Sequence, residues 1–159
     1  MNVLGVDIGG VIIDKAANDD SDTSLFGPNF LNATAVPGAF DSLAKLAQVF
    51  DVYLVSKCGP TTEEKTRQWL AHNDFFKRTG ILESHVRFCR KRLDKAGICA
   101  ELGVTHFVDD RLEVLSYLPP DVRKYLFRPN PEEVQKFAKF LKKVTTVESW
   151  QKLTRLLLR

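Results

Sequence analysis

Val3-Leu4-Gly5-Val6-Asp7-Ile8-Gly9-Gly10, near the start of the chain, joins a short apolar run to an acidic residue and two glycines. The run lacks the alternation of a strand with one wet face, so it predicts a β-strand that is buried on both sides. Asp7 then stands where the strand passes into a loop. A carboxylate at the end of a buried strand is the first candidate functional group.

Four later runs have the same apolar character and are rich in β-branched or aromatic residues. The predicted strands are Val3–Val6, Val52–Val55, Val86–Cys89, His106–Val108 and Tyr125–Phe127. Segments with helical spacing lie between them. Repeated alternation of strand and helix predicts an α/β fold with a parallel sheet and helices on both faces.

Several start signals locate the helices. One helix follows Pro37-Gly38, with an apolar face that runs from Phe40 to Phe50. Thr61-Thr62-Glu63-Glu64 resembles a capping box and predicts a second start. Asn130-Pro131-Glu132-Glu133 combines an N-cap, a first-turn proline and two acids, and predicts a helix that continues to Val144. A last amphipathic helix is predicted from about Ser149.

The overall composition is that of an ordinary globular domain. The chain has 159 residues, 44% of them hydrophobic and 27% charged, with a net charge of +3. These values predict one domain over residues 1–159 and argue against a mostly disordered chain. No apolar run approaches the ~18–20 residues that a bilayer requires, so no membrane partner is expected. The slight positive charge does not indicate nucleic acid, and nothing in the sequence predicts the oligomeric state.

The first residues resemble no export signal, since neither a charged leader nor a long apolar run precedes Asp7. A cytoplasmic location is therefore expected. The stretch from about residue 14 to 36 is different, because it is rich in Asp, Asn, Ser, Thr and Gly and has no periodicity. It is longer than an ordinary connection between strand and helix. We interpret it as a flap inserted over the functional site; the alternative is a disordered surface loop without a function.

Polar residues collect where the predicted strands end. Asp7 ends the first strand, Ser56 the second and Asp109-Asp110 the fourth. These strand ends share one edge of a parallel sheet, which is where open α/β sheets bind ligands. The basic residues nearby are Lys57, Lys95 and Arg111. Carboxylate oxygens suit Mg²⁺, and the cations suit a phosphate, so the pattern predicts a site for both.

Four of these short motifs resemble those of the haloacid dehalogenase-like (HAD) superfamily. They are the segment Val6–Val11, Leu54-Val55-Ser56, the lysine at the head of a helix, and Phe107–Arg111. They occur in the family's order and extend over nearly the whole chain. The resemblance implies a three-layer Rossmann-like fold with a five-stranded parallel sheet of order 5-4-1-2-3.

The resemblance also implies a role for each site residue. Asp7 would be the nucleophile that forms an aspartyl-phosphate, and Ser56 and Lys95 would bind the phosphoryl group, with Lys91 as the less favoured lysine. Substrate contacts would come from Gly10, Lys57 and Arg111. The implied Mg²⁺ ligands are Asp7, the carbonyl of Gly9, Asp109 and Asp110; which of the last two binds directly is left open.

Gly9 departs from the family pattern, in which phosphatases usually carry a second aspartate that acts as acid and base. Acid–base catalysis typically contributes ~10²–10⁴ in rate, so hydrolysis is expected to be slow unless another acid substitutes. Asp14, Asp19, Asp20 and Asp22 in the flap are candidates. No insertion is long enough for the family's cap domain. An uncapped site suits a large phosphorylated substrate.

The sequence thus predicts a Mg²⁺-dependent phosphohydrolase that acts on a phosphomonoester. The alternative is a catalytically silent HAD-like module that binds a phosphorylated ligand or a protein partner. Gly9 is the main support for the silent module. The joint presence of Asp7, Ser56, Lys95 and Asp110 opposes it, since a scaffold has no need for all four at one edge.

Overall fold

A computed structural model describes residues 1–15 and 24–159. Its six strands are β1 (Asn2–Val6), β2 (Phe50–Lys57), β3 (Val86–Cys89), β4 (His106–Asp109), β5 (Arg123–Phe127) and β6 (Thr145–Val147). They form one parallel sheet in the order β3-β2-β1-β4-β5-β6. The predicted α/β class is confirmed, and the order 5-4-1-2-3 is contained in the observed sheet.

The sixth strand corrects the prediction of five. Thr145–Val147 pairs with β5 at the edge of the sheet, with Tyr125 opposite Thr145 and Phe127 opposite Val147. Its first two residues are exposed, and only Val147 is buried. Such a short edge strand needs no apolar run, and the sequence therefore offered no strand signal at this place.

Among the described residues there are seven helices, of which six lie between strands and the seventh follows β6. They are α1 (Ala39–Leu46), α2 (Pro60–His72), α3 (Phe75–Thr79), α4 (Asp94–Leu102), α5 (Leu112–Tyr117), α6 (Pro131–Lys136) and α7 (Trp150–Leu157). Short 3₁₀ turns occur at Phe30–Asn32, Glu83–His85 and Ala138–Lys143. Within the described part of the chain, no helix has both the length and the apolar character needed to cross a membrane.

Three details of the predicted helices are wrong. The first helix ends at Leu46, and Phe50 instead begins β2. The capping box does not form, because α2 already begins at Pro60 and its N-cap is Gly59. The helix that starts after Asn130 stops at Lys136 and is followed by a 3₁₀ turn. Its start is confirmed, since the Asn130 side chain accepts hydrogen bonds from the amides of Glu132 and Glu133 at 2.8 and 3.3 Å.

Successive strand residues feed two cores, one on each face of the sheet. Leu54 and Val108 belong to the larger core, together with apolar residues of α1, α2, α3 and α7. Val55 and Phe107 belong to the other core, together with residues of α4 and α5. The sheet is therefore the middle of three layers. Both faces of the sheet are covered. A ligand can therefore reach the central strands only at their carboxyl ends, where the loops begin.

Candidate functional site

The register of the sheet brings the predicted acidic residues together. Val6 of β1 pairs with Val108 of β4, and the amide of Asp7 donates a 3.0 Å hydrogen bond to the carbonyl of Val108. Asp7 and Asp109 therefore follow paired positions on adjacent strands. One carboxylate oxygen from each of Asp7, Asp109 and Asp110 lies within 4.8 Å of the others, and all three residues are buried.

A buried lysine compensates part of this negative charge. Lys95, in the first turn of α4, donates to Oδ1 of Asp7 at 3.1 Å and to Oδ2 of Asp109 at 2.8 Å. Lys91, by contrast, is exposed. The geometry therefore places Lys95, and not Lys91, at the acidic cluster. The amide of Arg111 adds a 2.9 Å hydrogen bond to Oδ1 of Asp109.

Burial has the largest effect on the pKa values of the cluster. It raises the pKa of Asp7 well above its ordinary value, the negative charge of Asp109 raises it further, and Lys95 opposes both effects. Burial likewise raises the pKa of Asp109. Burial alone would lower the pKa of Lys95, but the carboxylates of Asp109 and Asp7 more than reverse this, so Lys95 stays protonated. The cluster carries more buried negative charge than its one buried ammonium group can balance.

The loop after β1 turns tightly beneath the cluster. The carbonyl of Ile8 accepts from the amides of Val11, Ile12 and Ile13 at 3.2, 2.8 and 3.1 Å. Gly10 has a φ of +80°, and a Cβ at this position would lie 2.6 Å from Oδ2 of Asp110. Any larger residue would therefore displace that carboxylate. Gly9 is exposed, and a Cβ added there would have no heavy atom within 4 Å.

The acidic cluster opens into a cleft of about 430 Å³ that also contains the other predicted residues. Ser56 is buried at the end of β2, Lys57 beside it is exposed, and Arg111 is half-buried before α5. Asp14 lines the same cleft. The other three predicted flap acids, Asp19, Asp20 and Asp22, fall in the undescribed segment 16–23, so only Asp14 among the acid candidates has a described position.

Three further residues of the cleft were missed by the sequence analysis. Lys15 forms an ion pair with Oδ2 of Asp110, and its side chain is otherwise largely exposed. Arg92 lines the cleft and pairs with Glu113 at 3.5 Å. Phe26, within the predicted flap of residues 14–36, contributes an exposed aromatic ring. Their positions depend on how loops fold back over the sheet edge, which no local pattern indicates.

Two tryptophans hold the polypeptide around the cleft. The indole of Trp150 in α7 donates a 2.7 Å hydrogen bond to the carbonyl of Val11, and that of Trp69 in α2 donates a 2.8 Å bond to the carbonyl of Ala33. Both rings are fully buried. Ala33 lies near the end of the predicted flap, whose Ala35 forms an antiparallel bridge with Ile13. The loop after β1 and the end of the flap are thus fixed to helices of the core.

Solved structures share the fold of this chain. A "putative haloacid dehalogenase-like hydrolase" of Burkholderia xenovorans LB400 superposes with a TM-score of 0.64, covering 96% of this chain and 94% of that one at 14% identity. The chain has the HAD-like fold. A class C acid phosphatase of Bacillus anthracis, solved with tungstate bound, superposes with a TM-score of 0.51 and 16% identity, over 93% of this chain and 66% of its own.

A curated protein is similar in sequence to this chain. "Putative nucleotidase OB0422" of Oceanobacillus iheyensis is 27% identical over 100 residues, which is 62% of this chain and 51% of the relative. The chain thus spans about half the length of the curated relative that it matches. No family model matches the sequence.

Proposed function

We propose that the protein is a Mg²⁺-dependent phosphomonoester hydrolase in which Asp7 is the nucleophile. The observation that carries this proposal is the convergence of three buried carboxylates and one buried lysine at the floor of an open cleft. The fold likeness to hydrolases and the nucleotidase and phosphatase names of similar proteins support the same class.

The donor set fits a hard divalent cation. Three carboxylates offer only oxygen atoms. Burial, and after it the neighbouring carboxylates, raises the pKa of Asp7 and of Asp109, so a bound cation would favour their charged forms. Asp7, Asp109 and Asp110 would hold Mg²⁺, and the carbonyl of Gly9 is the fourth ligand that we propose. When bound, Mg²⁺ would neutralise charge on the phosphoryl oxygens.

Asp7 and Lys95 have different roles in the proposed reaction. A carboxylate oxygen of Asp7 forms a bond to phosphorus while the bond from phosphorus to the substrate oxygen breaks. The oxygen of the leaving group takes a proton from an acid or from water. Attack of water on the phosphorus then releases inorganic phosphate and restores the Asp7 carboxylate. Lys95 fixes the orientation of the Asp7 carboxylate through the bond to Oδ1.

Positioning of the phosphoryl group falls to the remaining predicted residues. Ser56 is buried at the cleft and is proposed to donate to a phosphoryl oxygen. Lys57 and Arg111 are proposed to bind the substrate's other anionic groups, and Gly10, which lines the same cleft, is proposed to contact the substrate through its backbone. Fixed donors of this kind contribute most of the catalysis in phosphoryl transfer.

Gly9 leaves one function unassigned, because no carboxylate stands at the position of the family's acid. Asp14 is the acid in the described part of the cleft that is proposed to substitute for it. The missing acid at Gly9 also favours the second candidate, a silent module that binds a phosphorylated ligand through the same cleft without turnover. In either case a phosphorylated molecule is the partner.

Hydrolysis of an aryl phosphate with Mg²⁺ and with excess chelator separates the two candidates. Metal-dependent turnover that is lost in Asp7→Asn supports the enzyme. The matched control is Asp121→Asn, since Asp121 is exposed and does not line the cleft. Absence of turnover in the parent protein, with phosphate binding that survives Asp7→Asn, would instead support the silent module.

A further inference from the structure

Phe26 is an unusual component of the cleft. Its side chain is 64% exposed, although it lines the same cleft as Asp7, Ser56 and Lys95. Its neighbour Leu25 is partly buried and packs against the larger core. A bare aromatic ring in water forgoes the free energy of burial, about 25 cal/mol per Å² of apolar surface. A ring left in this position is available to whatever fills the cleft.

The backbone on both sides of the ring is held in place. The amide of Phe26 donates a 3.1 Å hydrogen bond to Oγ of Ser24, which is buried. Lys65 of α2 donates from Nζ to the carbonyls of Phe26 and Gly27 at 3.1 and 3.3 Å. Thr62 and Thr66, on the same helix, line the cleft. The turn that carries the ring is therefore fixed to the helix that also forms part of the cleft wall.

We infer that Phe26 is a stacking surface for a flat ring in the organic part of the substrate, and that the substrate is a phosphomonoester with an aromatic group. This inference rests on the proposed function for the location of the phosphate. Lys95 and Ser56 are at the floor of the cleft, and the one exposed large aromatic that lines it is Phe26, among the residues described. A phosphate at the floor and a ring against Phe26 would use both features at once.

Two sources offer this chemistry, namely a nucleobase and a tyrosine side chain. Stacking of a base on an aromatic residue has a substantial effect on affinity that depends little on the identity of the base. Phe26 is thus expected to contribute to substrate affinity, whereas the proposed nucleophile Asp7 contributes to the rate of the chemical step. Loss of the ring should raise KM for ring-bearing substrates and leave kcat nearly unchanged.

The test uses substrate pairs that differ by the ring. A nucleoside 5′-monophosphate is compared with ribose 5-phosphate, and phosphotyrosine with phosphoserine, in the parent, Phe26→Ala and Phe26→Trp. Leu82→Ala is the control, because Leu82 is 60% exposed but does not line the cleft. We expect Phe26→Ala to raise KM about tenfold for one of the two ring-bearing substrates. Phe26→Trp should retain the parent's KM, and the ringless substrates should not respond.

The pair that responds identifies the source of the ring. Equal KM changes for ring-bearing and ringless substrates, or no change for either pair, would overturn the inference while leaving hydrolysis intact. Should the parent turn over neither these four compounds nor an aryl phosphate, the proposed function fails instead. Calorimetry then compares the binding of the nucleotide and of ribose 5-phosphate, in the presence of Mg²⁺, to the parent and to Phe26→Ala. If both proteins prefer the nucleotide by the same factor, the role of Phe26 is overturned.

Discussion

Nζ of Lys95 lies 2.8 Å from Oδ2 of Asp109, and neither side chain is exposed to more than a trace of solvent. The same ammonium group reaches Asp7 at 3.1 Å. One cation from α4 thus connects the ends of β1 and β4. A buried charge of this kind has large consequences when its partner is removed, because the remaining charges cannot be solvated.

Lys95→Met is expected to destabilise the protein by about 3–5 kcal/mol in the absence of metal, since it leaves two buried carboxylates unpaired. Phosphatase turnover should also disappear. Urea denaturation monitored by fluorescence measures the first effect. Lys91→Met is the matched control, as Lys91 is exposed in the same basic stretch. Equal stability of the two variants would contradict the pairing described here.

Mg²⁺ is expected to raise the melting temperature of the parent protein, because a ligand that binds only the folded state stabilises it by RT ln(1 + [L]/Kd). Asp110→Asn should weaken this response by removing one charged ligand from the cluster. Asp121→Asn should leave the response unchanged. A Mg²⁺-induced shift that is the same in all three proteins would place the ion elsewhere.

Gly9→Asp is expected to increase hydrolysis at least about tenfold, since acid–base catalysis typically contributes ~10²–10⁴ in rate. The position accepts a side chain, because no heavy atom lies within 4 Å of an added Cβ. Gly97→Asp provides the control, as its surroundings are equally open but it lies in α4 outside the cleft. Steady-state kinetics with an aryl phosphate measure both. An unchanged rate in Gly9→Asp would indicate that another group already supplies the proton.

His106 should make stability depend on pH. Burial lowers its pKa below the ordinary value, and Arg123 lowers it further. The unfolded chain therefore binds this proton more readily, and the free energy of unfolding falls as the pH drops below about 6.5, at most by about 1.4 kcal/mol per pH unit.

His106→Phe keeps a ring between Phe50 and Tyr125 but cannot take the proton. Its stability relative to the parent should therefore rise as the pH falls from 7 to 5, as measured by urea denaturation at each pH. The carboxylates are common to both proteins, so their contribution cancels in the difference. A constant difference between the two proteins over this range would contradict the prediction.

Trp150→Phe is expected to cost about 1–3 kcal/mol, because the carbonyl of Val11 loses its buried donor. Denaturation curves give the cost, and the kcat for an aryl phosphate reports whether the loop after β1 has shifted. Trp69→Phe removes an equivalent bond from Ala33 and serves for comparison. Unaltered stability in both variants would show that these bonds are dispensable.

The central strands and the acidic cluster were predictable from sequence because both follow from strict rules. The central strand β1 was predicted as Val3–Val6, one residue short of its observed start, since a strand covered on both faces is apolar over most of its length. The register of parallel strands then brings Asp7 and Asp109 to one edge without further information. The edge strand Thr145–Val147 was not predicted, because it is largely exposed and is defined mainly by its pairing with β5.

The contacts that the sequence did not indicate are between residues far apart in the chain. The ion pair between Lys15 and Asp110 requires the turn at Gly10, and the bond between Trp150 and Val11 joins residues 139 positions apart. At α2, the Gly59-Pro60 start displaced the capping box, because proline fits the first helical position. Local patterns locate elements, but tertiary contacts fix the side chains that surround the cluster.

The hydrogen bond from Trp150 also constrains the order of events during biosynthesis. The turn next to Asp7 emerges from the ribosome before α7, and its Val11 carbonyl gains its buried donor only after α7 has been translated. The nascent polypeptide thus carries this turn without its buried hydrogen bond while the 139 positions between the two residues are being made. Premature termination ahead of α7 would yield a product with the acidic residues present but the turn beside them unsecured.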